Sequence, residues 1–417
     1  MPDQKIQSNL SKEADIEKRY MKAKALEQGS FIETMVLNAQ IYPNWIGNST
    51  CFWYIQKRRI SENGLSEIRK QFRLVNALTT ENTEAFDHHS LARALGRVTK
   101  RDISANNLPI SEIKIELSPL EVRFMAFDKQ WSYNASEALC TEIAALSPYW
   151  LVSPDGKKAA FLRNFNLWVR DLDSGVERSL TQDGELHYAY AVQPERVNLV
   201  GGMHDVGWVN KALPEAHWSS DSKRLLTMRV DERRVLSLPI TEYVPSDGSL
   251  RPRCTQVKYA LPGDRSIAEY ELLAIEVDTG NICLAKYQPI PDSVLWAGLF
   301  SGNRAWWSSD NTRAFFVDMS RGQRQAKVVS FNITTGLTEV LFKETAETYI
   351  DLSLDFENPA SLLPVYESNE LIWFSERSGW AHIYLYDLDN GNLKKDITNG
   401  NWLVREVLHF DSASREV

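Results

Sequence analysis

The chain has 417 residues and a formal net charge of −8, with 47 Lys and Arg against 55 Asp and Glu. The cations are scattered along the sequence rather than clustered on one segment, so we expect no nucleic-acid partner. No apolar run approaches the roughly 18 residues of a membrane helix, and the polar first ten residues do not resemble a signal peptide, so we expect a cytoplasmic protein without membrane contact.

The N-terminal segment has helical periodicity. Apolar residues at Ile16, Tyr20 and Ala23 recur at helical spacing, Ser11 is a suitable N-cap, and Gly29 is a suitable end. We therefore predict a helix over residues 11–29, within an N-terminal helical arm that covers residues 1–40.

A β-strand pattern begins at residue 41. Trp45 belongs to a first strand, Cys51–Ile55 to a second and Phe72–Val75 to a third. A short helical segment, Glu84–Leu95, then interrupts the pattern. Two further apolar stretches predict more strand, at residues 122–127 and 131–133.

The histidines and cysteines do not suggest a metal site or a redox motif. His88 and His89 are adjacent, so on a helix their side chains point about 100° apart, and no third ligand follows at a useful spacing. The four cysteines, at positions 51, 140, 254 and 283, have no short spacing between them and are predicted to be buried thiols. We expect neither a metal nor another cofactor.

Residues 149–181 predict one complete four-stranded antiparallel sheet. Four short apolar runs are separated by three turn sequences, of which Ser153-Pro154-Asp155-Gly156 is the first and Asp173-Ser174-Gly175 is the last. This stretch serves as the template for the rest of the chain.

Parts of this template recur downstream. The first strand and its turn return at residues 216–221 and 305–310, each time with an aromatic residue before a Ser-x-Asp sequence. The later turn returns with glycine at positions 280, 336 and 391, which are 56 and 55 residues apart. A four-stranded unit repeating near this period is typical of a β-propeller.

Two stretches interrupt the repeat, Glu185–Pro214 and Glu232–Ala268. The second contains four prolines, which excludes a continuous central strand. Loops on a rigid scaffold often carry binding groups, so we expect function to lie in these insertions.

The C-terminal part contains one more unit, in which residues 371–374 and 383–386 alternate as strands, and the start of another at residues 407–410. We therefore predict an all-β fold, a β-propeller of four-stranded antiparallel blades over residues 41–417, with about six blades present and an incomplete C-terminal end. The predicted first strands lie at Trp45, Trp150, Trp218, Trp307, Asn369 and Phe410.

An ordered set of segments resembles the N-terminal propeller of the dipeptidyl peptidase IV family, in the prolyl oligopeptidase clan of serine peptidases. In chain order they are residues 218–226 (WSSDSKRLL) with residues 231–233 (DER), residues 258–264 (KYALPGD) and residues 375–386 (SERSGWAHIYLY). The resemblance implies eight blades, followed by an α/β-hydrolase domain that cleaves dipeptides from peptide N-termini after proline or alanine.

The catalytic motif of that hydrolase domain is absent from the sequence. Gly298-Leu299-Phe300-Ser301-Gly302 does not have the Gly-x-Ser-x-Gly spacing of a nucleophile elbow. We name no catalytic residue and expect the chain by itself to hydrolyse no peptide.

The resemblance also implies a site for the substrate's α-ammonium group. Well-known members bind it with adjacent glutamates on a short propeller helix, through charge-assisted hydrogen bonds. The matching interval here, 185–214, has no Glu-Glu pair, so we take Glu195, Asp205 and Glu215 as candidate substrate-binding residues and expect the interval to face the cavity between the two domains.

We therefore interpret the chain as the part of a dipeptidyl peptidase IV-like serine peptidase that gates and anchors substrate, its partner being a peptide held for a hydrolase domain. A free-standing propeller that binds proteins is the alternative. A five-bladed glycosidase is a third interpretation, for which no carboxylate pair stands out. A ring without its last blades would be open and expose strand edges, which predicts self-association and a possible homo-oligomer.

Overall fold

The computed structural model describes residues 16–24, 36–39, 41–47, 49–62, 65–143, 146–195, 206–245, 248–292, 298–353, 359–407, 410–411 and 413–417. The chain divides into two compact units, residues 1–146 and 147–417. Four-stranded antiparallel sheets dominate both units, as the sequence predicts.

The first unit contains a short helix, two sheets and a longer helix. Residues 16–24 are helical (α1), which agrees with the predicted arm; the other residues of that predicted helix lie outside the described ones. Sheet I and sheet II are each ordered as in the sequence. Sheet I contains β1 (Asn44–Trp45), β2 (Cys51–Glu62), β3 (Leu65–Asn76) and β4 (Asn82–Glu84). Helix α2 (His88–Thr99) follows. Sheet II contains β5 (Ser111–Leu117), β6 (Leu120–Ala126), β7 (Lys129–Asn134) and β8 (Leu139–Ile143).

Helix α2 joins sheets I and II in one hydrophobic core. Leu91 and Leu95, both fully buried, pack among the aromatic residues Phe72, Phe86 and Phe124. At 12 residues the helix begins and ends four residues later than predicted, because Asp87 is its N-cap and not part of it.

The second unit contains four sheets and a two-stranded hairpin. Sheets III, V and VI each have four strands in sequence order. Their strands are β9 (Leu151–Val152), β10 (Lys158–Arg163), β11 (Asn166–Asp171) and β12 (Glu177–Ser179); β21 (Ala305–Trp307), β22 (Arg313–Met319), β23 (Gln325–Asn332) and β24 (Thr338–Thr345); and β25 (Leu363–Val365), β26 (Glu370–Ser375), β27 (His382–Asp387) and β28 (Leu393–Asp396).

Sheet IV is the irregular one. The strands of sheet IV and its hairpin are β13 (Tyr188–Tyr190), β14 (Ala216–Trp218), β15 (Arg224–Asp231), β16 (Ser237–Glu242), β17 (Arg253–Lys258), β18 (Glu269–Glu276), β19 (Ile282–Leu284) and β20 (Ile290–Pro291). The short strands β13 and β14 pair with different parts of β15, and β18 pairs with both β19 and β20. The hairpin β16–β17 lies between β15 and β18 in the sequence.

The recurring Ser-x-Asp sequence is a hydrogen-bonded turn. In each copy the serine hydroxyl donates to the aspartate two residues on, at 2.6 Å, as in Ser153 to Asp155, Ser219 to Asp221 and Ser308 to Asp310. Each serine Oγ also accepts a backbone N–H five residues on. The motif therefore fixes the hairpin that joins the first two strands.

The aromatic residue before this turn links one sheet to the next. The indole N–H of Trp218 donates to the Leu151 carbonyl at 2.9 Å, and that of Trp307 donates to the His217 carbonyl at 3.0 Å. These bonds join the first strands of neighbouring sheets III, IV and V.

The glycine turns make close contacts between sheets. Gly336 and Gly391 both have a positive φ, and a Cβ on Gly391 would lie 2.0 Å from the Leu341 carbonyl oxygen. Only glycine suits that position, both for its backbone angle and for the space.

The structure and the sequence prediction differ over the segments that form the six sheets. Sheet II was predicted only as scattered strand. Of the further unit predicted to start at residues 407–410, Val407 and Phe410 form no regular strand, and residues 408–409 lie outside the described ones. Val404, Val407 and Phe410 instead pack against sheet VI. The thiols also differ from prediction, because only Cys140 is buried, Cys51 and Cys283 are half-buried and Cys254 is exposed.

Candidate functional site

The first insertion interrupts the first strand of sheet IV. Tyr190 pairs with Arg229 in β13, and Ala216 pairs with Thr227 in β14, so both short strands lie along the same edge of β15. Two backbone bonds close the gap, from Ala191 N–H to the Met228 carbonyl and from Glu215 N–H to the Ala191 carbonyl, both at 2.8 Å. The described residues of the insertion therefore leave from, and return to, one point of the sheet.

Glu215, at the end of the insertion, is buried and binds backbone donors. One carboxylate oxygen accepts the N–H groups of Phe300 and Ser301, both at 3.1 Å, and the other accepts the amide of Gln193 at 2.7 Å. A Cβ on Gly298 would lie 2.4 Å from this carboxylate. Glu215 thus holds the turn that precedes β21, and its oxygens face protein donors.

Glu195 lies in a second group of polar residues. Its Oε2 accepts the backbone N–H of Lys258 at 2.7 Å, and its own N–H donates to both carboxylate oxygens of Glu232, at 3.0 and 3.1 Å. Its Oε1 has no hydrogen-bond partner in the part of the chain that the structure describes. Two glutamates from different segments therefore meet here.

His187 completes this group. Its Nδ1 lies 3.6 Å from Glu195 Oε2, and burial lowers the pKa of the imidazole below 6.5 although the glutamate opposes that shift. The ring is therefore mainly neutral at pH 7 and supplies no full positive charge to Glu195.

A cavity of about 360 Å³ opens beside this group. Glu232, Lys258 and Asp292 contribute polar groups to its wall, and Arg321 reaches it from the β22–β23 turn. Its other lining residues are Val235, Tyr259, Ala260, Leu261, Pro262, Ile267, Ala268 and Gly322. The second insertion, which includes the base of the hairpin, therefore supplies much of the wall.

The polar residues of the wall are held in place by hydrogen bonds. Asp292 accepts the phenol O–H of Tyr270 at 2.6 Å, and the Lys258 ammonium donates to the Val235 carbonyl at 2.7 Å. The wall thus carries two carboxylates, Glu232 and Asp292, beside two cationic side chains, Lys258 and Arg321, so a small group with charges of both signs suits the cavity.

A larger cavity of about 1300 Å³ lies beside sheet VI. Phe374 and Ile372 line one side of it and Leu403 and Val407 the other. Neither Glu195 nor Glu215 lines this cavity or the smaller one, but Glu195 donates its N–H to Glu232, which lines the smaller one.

The structure describes two of the three candidate residues. Glu195 and Glu215 contact different partners, and Asp205 lies outside the described residues. Sequence reasoning did not select Glu232, which is 37 residues from its partner Glu195. The one available signal was its place at the start of the second insertion.

The described residues contain no serine or cysteine that is hydrogen-bonded to a carboxylate-paired histidine. They also contain no group of three or more His, Cys, Asp or Glu placed to hold a metal ion. No helix among them has the length and apolar character needed to cross a membrane.

Comparison with known proteins identifies the family. Residues 119–417 match the family described as "Dipeptidyl peptidase IV (DPP IV) N-terminal region". A probable dipeptidyl peptidase 4 of Emericella nidulans is 23% identical over 270 residues, covering 62% of this chain and 32% of the relative. The dipeptidyl peptidase 4 of Trichophyton equinum is 25% identical over 273 residues, covering 63% and 32%.

Two solved structures have a similar fold. Dipeptidyl peptidase 4 of Porphyromonas gingivalis aligns with a TM-score of 0.59 at 18% identity, covering 93% of this chain and 50% of that one. A putative dipeptidyl aminopeptidase IV of Bacteroides ovatus aligns with a TM-score of 0.58 at 17% identity, covering 90% and 50%. The chain thus spans about a third of its curated relatives and half of these structures, and it belongs to the dipeptidyl peptidase IV N-terminal region family.

Proposed function

We propose that this chain is the propeller part of a dipeptidyl peptidase IV-like serine peptidase, where it gates and anchors peptide substrate for a hydrolase domain. The family match favours this function over a free-standing binding module or a glycosidase. The observation that carries the anchoring role is the contact between Glu195 and Glu232 beside an open cavity.

In this proposal Glu195 binds the α-ammonium group of the substrate. The Lys258 N–H orients its carboxylate, and Glu232 holds its backbone. An ammonium group would then donate to Oε1 in a charge-assisted hydrogen bond. Glu215 supports the neighbouring turn instead, because backbone and amide donors already occupy both of its oxygens.

A binding experiment tests the role of Glu195. A Gly-Pro-containing peptide with a free N-terminus should bind this chain more tightly than its N-acetylated form in calorimetry. Glu195→Gln should weaken binding of the free peptide about tenfold, because a hydrogen bond to a charged group contributes roughly 1.5–3 kcal/mol. The acetylated peptide should bind Glu195→Gln and the wild type equally.

The matched control is Glu269→Gln, which changes an exposed glutamate on β18 of sheet IV. It should leave both affinities unchanged. Equal affinity of the wild type for the free and acetylated peptides would refute the ammonium role, and the family assignment would stand.

A second experiment tests the lack of catalysis by this chain alone. Incubation with dipeptidyl chromogenic substrates that contain proline should match a buffer blank, because the nucleophile, base and oxyanion donors are expected in the hydrolase domain. Turnover that a serine-directed phosphonate abolishes would contradict the proposal.

A further inference from the structure

The exposed face of α2 carries a row of cations. Arg93, Arg97, Lys100 and Arg101 are all exposed, and no Asp or Glu occurs from residue 88 to residue 101. Their neighbours on the opposite face are buried in the core of the first unit. The helix is therefore mainly apolar on its buried side, and the charged residues on its exposed side, which also carries His89 and Val98, are all cationic.

The row has a regular spacing. Arg93 and Arg97 are four residues apart, which places them about 6 Å apart along the helix axis and within about 40° around it. Lys100 is the C-cap, and the guanidinium of Arg101 lies 4.2 Å from the centre of the Phe127 ring. The cations thus extend along the helix and past its end for about 12 Å, at the helical rise of about 1.5 Å per residue.

None of these four cations forms an ion pair within the described part of the chain. Asp87 is engaged at the N-cap, where it accepts the Ser90 N–H at 2.9 Å. Exposed helices usually alternate positive and negative charges at this spacing, since like charges four residues apart destabilise a helix. A purely cationic row is therefore not what helix stability alone would favour.

The helix is held rigidly beneath this row. Besides the N-cap, the Arg101 N–H donates to the Gly96 carbonyl at 3.3 Å and the Thr99 hydroxyl donates to the Leu95 carbonyl at 2.7 Å. Leu91 and Leu95 are fully buried. The cations are thus presented on a preorganised surface, which reduces the entropy lost on binding.

We propose that this face of α2 docks an acidic peptide segment of a partner protein. In an extended peptide, alternate side chains lie on one side about 6.6–6.8 Å apart, which matches the spacing of the arginines. A membrane fits less well, because the apolar side of α2 is buried and cannot insert.

Fluorescence anisotropy tests this proposal on the full chain. A labelled peptide of about three Glu-Ser repeats, which is about 20 Å long when extended and so spans the row, should bind at low salt and dissociate as salt rises. Arg93→Gln with Arg97→Gln should weaken binding at least about tenfold. The control pair Arg251→Gln with Arg405→Gln removes the same charge from exposed sites elsewhere and should change affinity less than about twofold.

Charge reversal provides a second test. Arg93→Glu with Arg97→Glu should lose the Glu-Ser peptide and gain binding to a matching Lys-Ser peptide. Circular dichroism melts of all variants should match the wild type, since both side chains are exposed. Equal loss in the control pair would overturn the proposal. So would arginine-dependent binding of single-stranded RNA or phosphatidylserine vesicles in place of the Glu-Ser peptide.

Discussion

At the scale of single residues, buried polar groups in this protein are matched to specific donors and acceptors. His88 illustrates this, because its Nε2 accepts the backbone N–H of Phe72 at 2.9 Å. Only a neutral imidazole offers an acceptor there. Burial lowers the pKa of His88 below 6.5, and this effect outweighs the opposing pull of Glu84.

This lowered pKa predicts a loss of stability in mild acid. Between the folded-state pKa and 6.5 the unfolded chain binds more protons than the folded one, so the free energy of unfolding should fall as pH drops below 6.5. His88→Gln keeps an acceptor that does not titrate near neutrality. Urea denaturation at about pH 7.5 and 5.5 should show a smaller pH effect in His88→Gln than in the wild type; an equal effect would contradict the role of His88.

Glu215 gives a prediction about stability rather than binding. Glu215→Ala leaves the buried N–H of Phe300 and the neighbouring N–H of Ser301 without their acceptor. We expect the free energy of unfolding to fall by about 2–4 kcal/mol, measured in urea. Glu269→Ala, at an exposed site of sheet IV, should change it by less than about 0.5 kcal/mol. A similar small change in Glu215→Ala would show that the turn does not depend on this carboxylate.

At the scale of elements, a buried carboxylate joins the last strand of sheet V to sheet VI. Glu344 on β24 accepts the Trp373 indole N–H at 2.8 Å, the Ser375 hydroxyl at 2.6 Å and the Arg377 guanidinium at 2.6 Å. Arg377 also donates to the Tyr386 hydroxyl at 2.6 Å. Three segments of sheet VI therefore depend on one side chain of its neighbour.

Removing this carboxylate should destabilise the pair of sheets. Glu344→Ala removes the acceptor of two buried donors and the carboxylate partner of a partly buried guanidinium. We expect the free energy of unfolding to fall by about 2–4 kcal/mol. Glu339→Ala, on an exposed position of the same strand, is the control and should be nearly neutral. If urea denaturation shows that both variants lose the same free energy of unfolding, the loss comes from any change on the strand and not from the hydrogen bonds of Glu344.

The sequence predicted these elements where a local motif marks them. The Ser-x-Asp turns located sheets III, IV and V, because that hydrogen-bonding pattern closes within five residues. Sheet II has no such turn, so its strands were seen but not grouped. The meeting of Glu195 with Glu232 and Lys258 depends on how the split strand and the hairpin base fold together, which no local pattern encodes.

At the scale of the whole molecule, the two compact units have separate hydrophobic cores. One core is built around Leu91, Phe72 and Phe124 of the first unit. In the second unit, neighbouring sheets share cores such as that of Phe315 and Trp373. Cooperative unfolding is a property of one continuous core, so separate cores predict separate transitions.

Calorimetry tests this prediction. Leu91→Ala removes a fully buried side chain, which should reduce the free energy of unfolding by about 2–5 kcal/mol. It should lower the midpoint temperature of the first unit's transition only. Glu344→Ala should lower the midpoint temperature of the second unit's transition only. A single transition that both variants shift equally would show that the chain unfolds as one unit.

The predicted open ring and self-association also belong to this scale. Both stay predictions, and light scattering can test the self-association through the solution mass of the purified chain. A monodisperse monomer would contradict self-association through exposed strand edges.

Sheet IV keeps its central strand pairing although two insertions interrupt its sequence. β15 and β18 pair over eight consecutive residues, from Arg224 with Glu276 to Asp231 with Glu269, although one insertion splits the strand beside them and another separates them in sequence. Because the ladder is closed by backbone groups, the inserted segments are free to diverge in length and chemistry while the sheet persists. Exchange of such segments in the laboratory should therefore change the surface that this sheet presents without redesign of the scaffold.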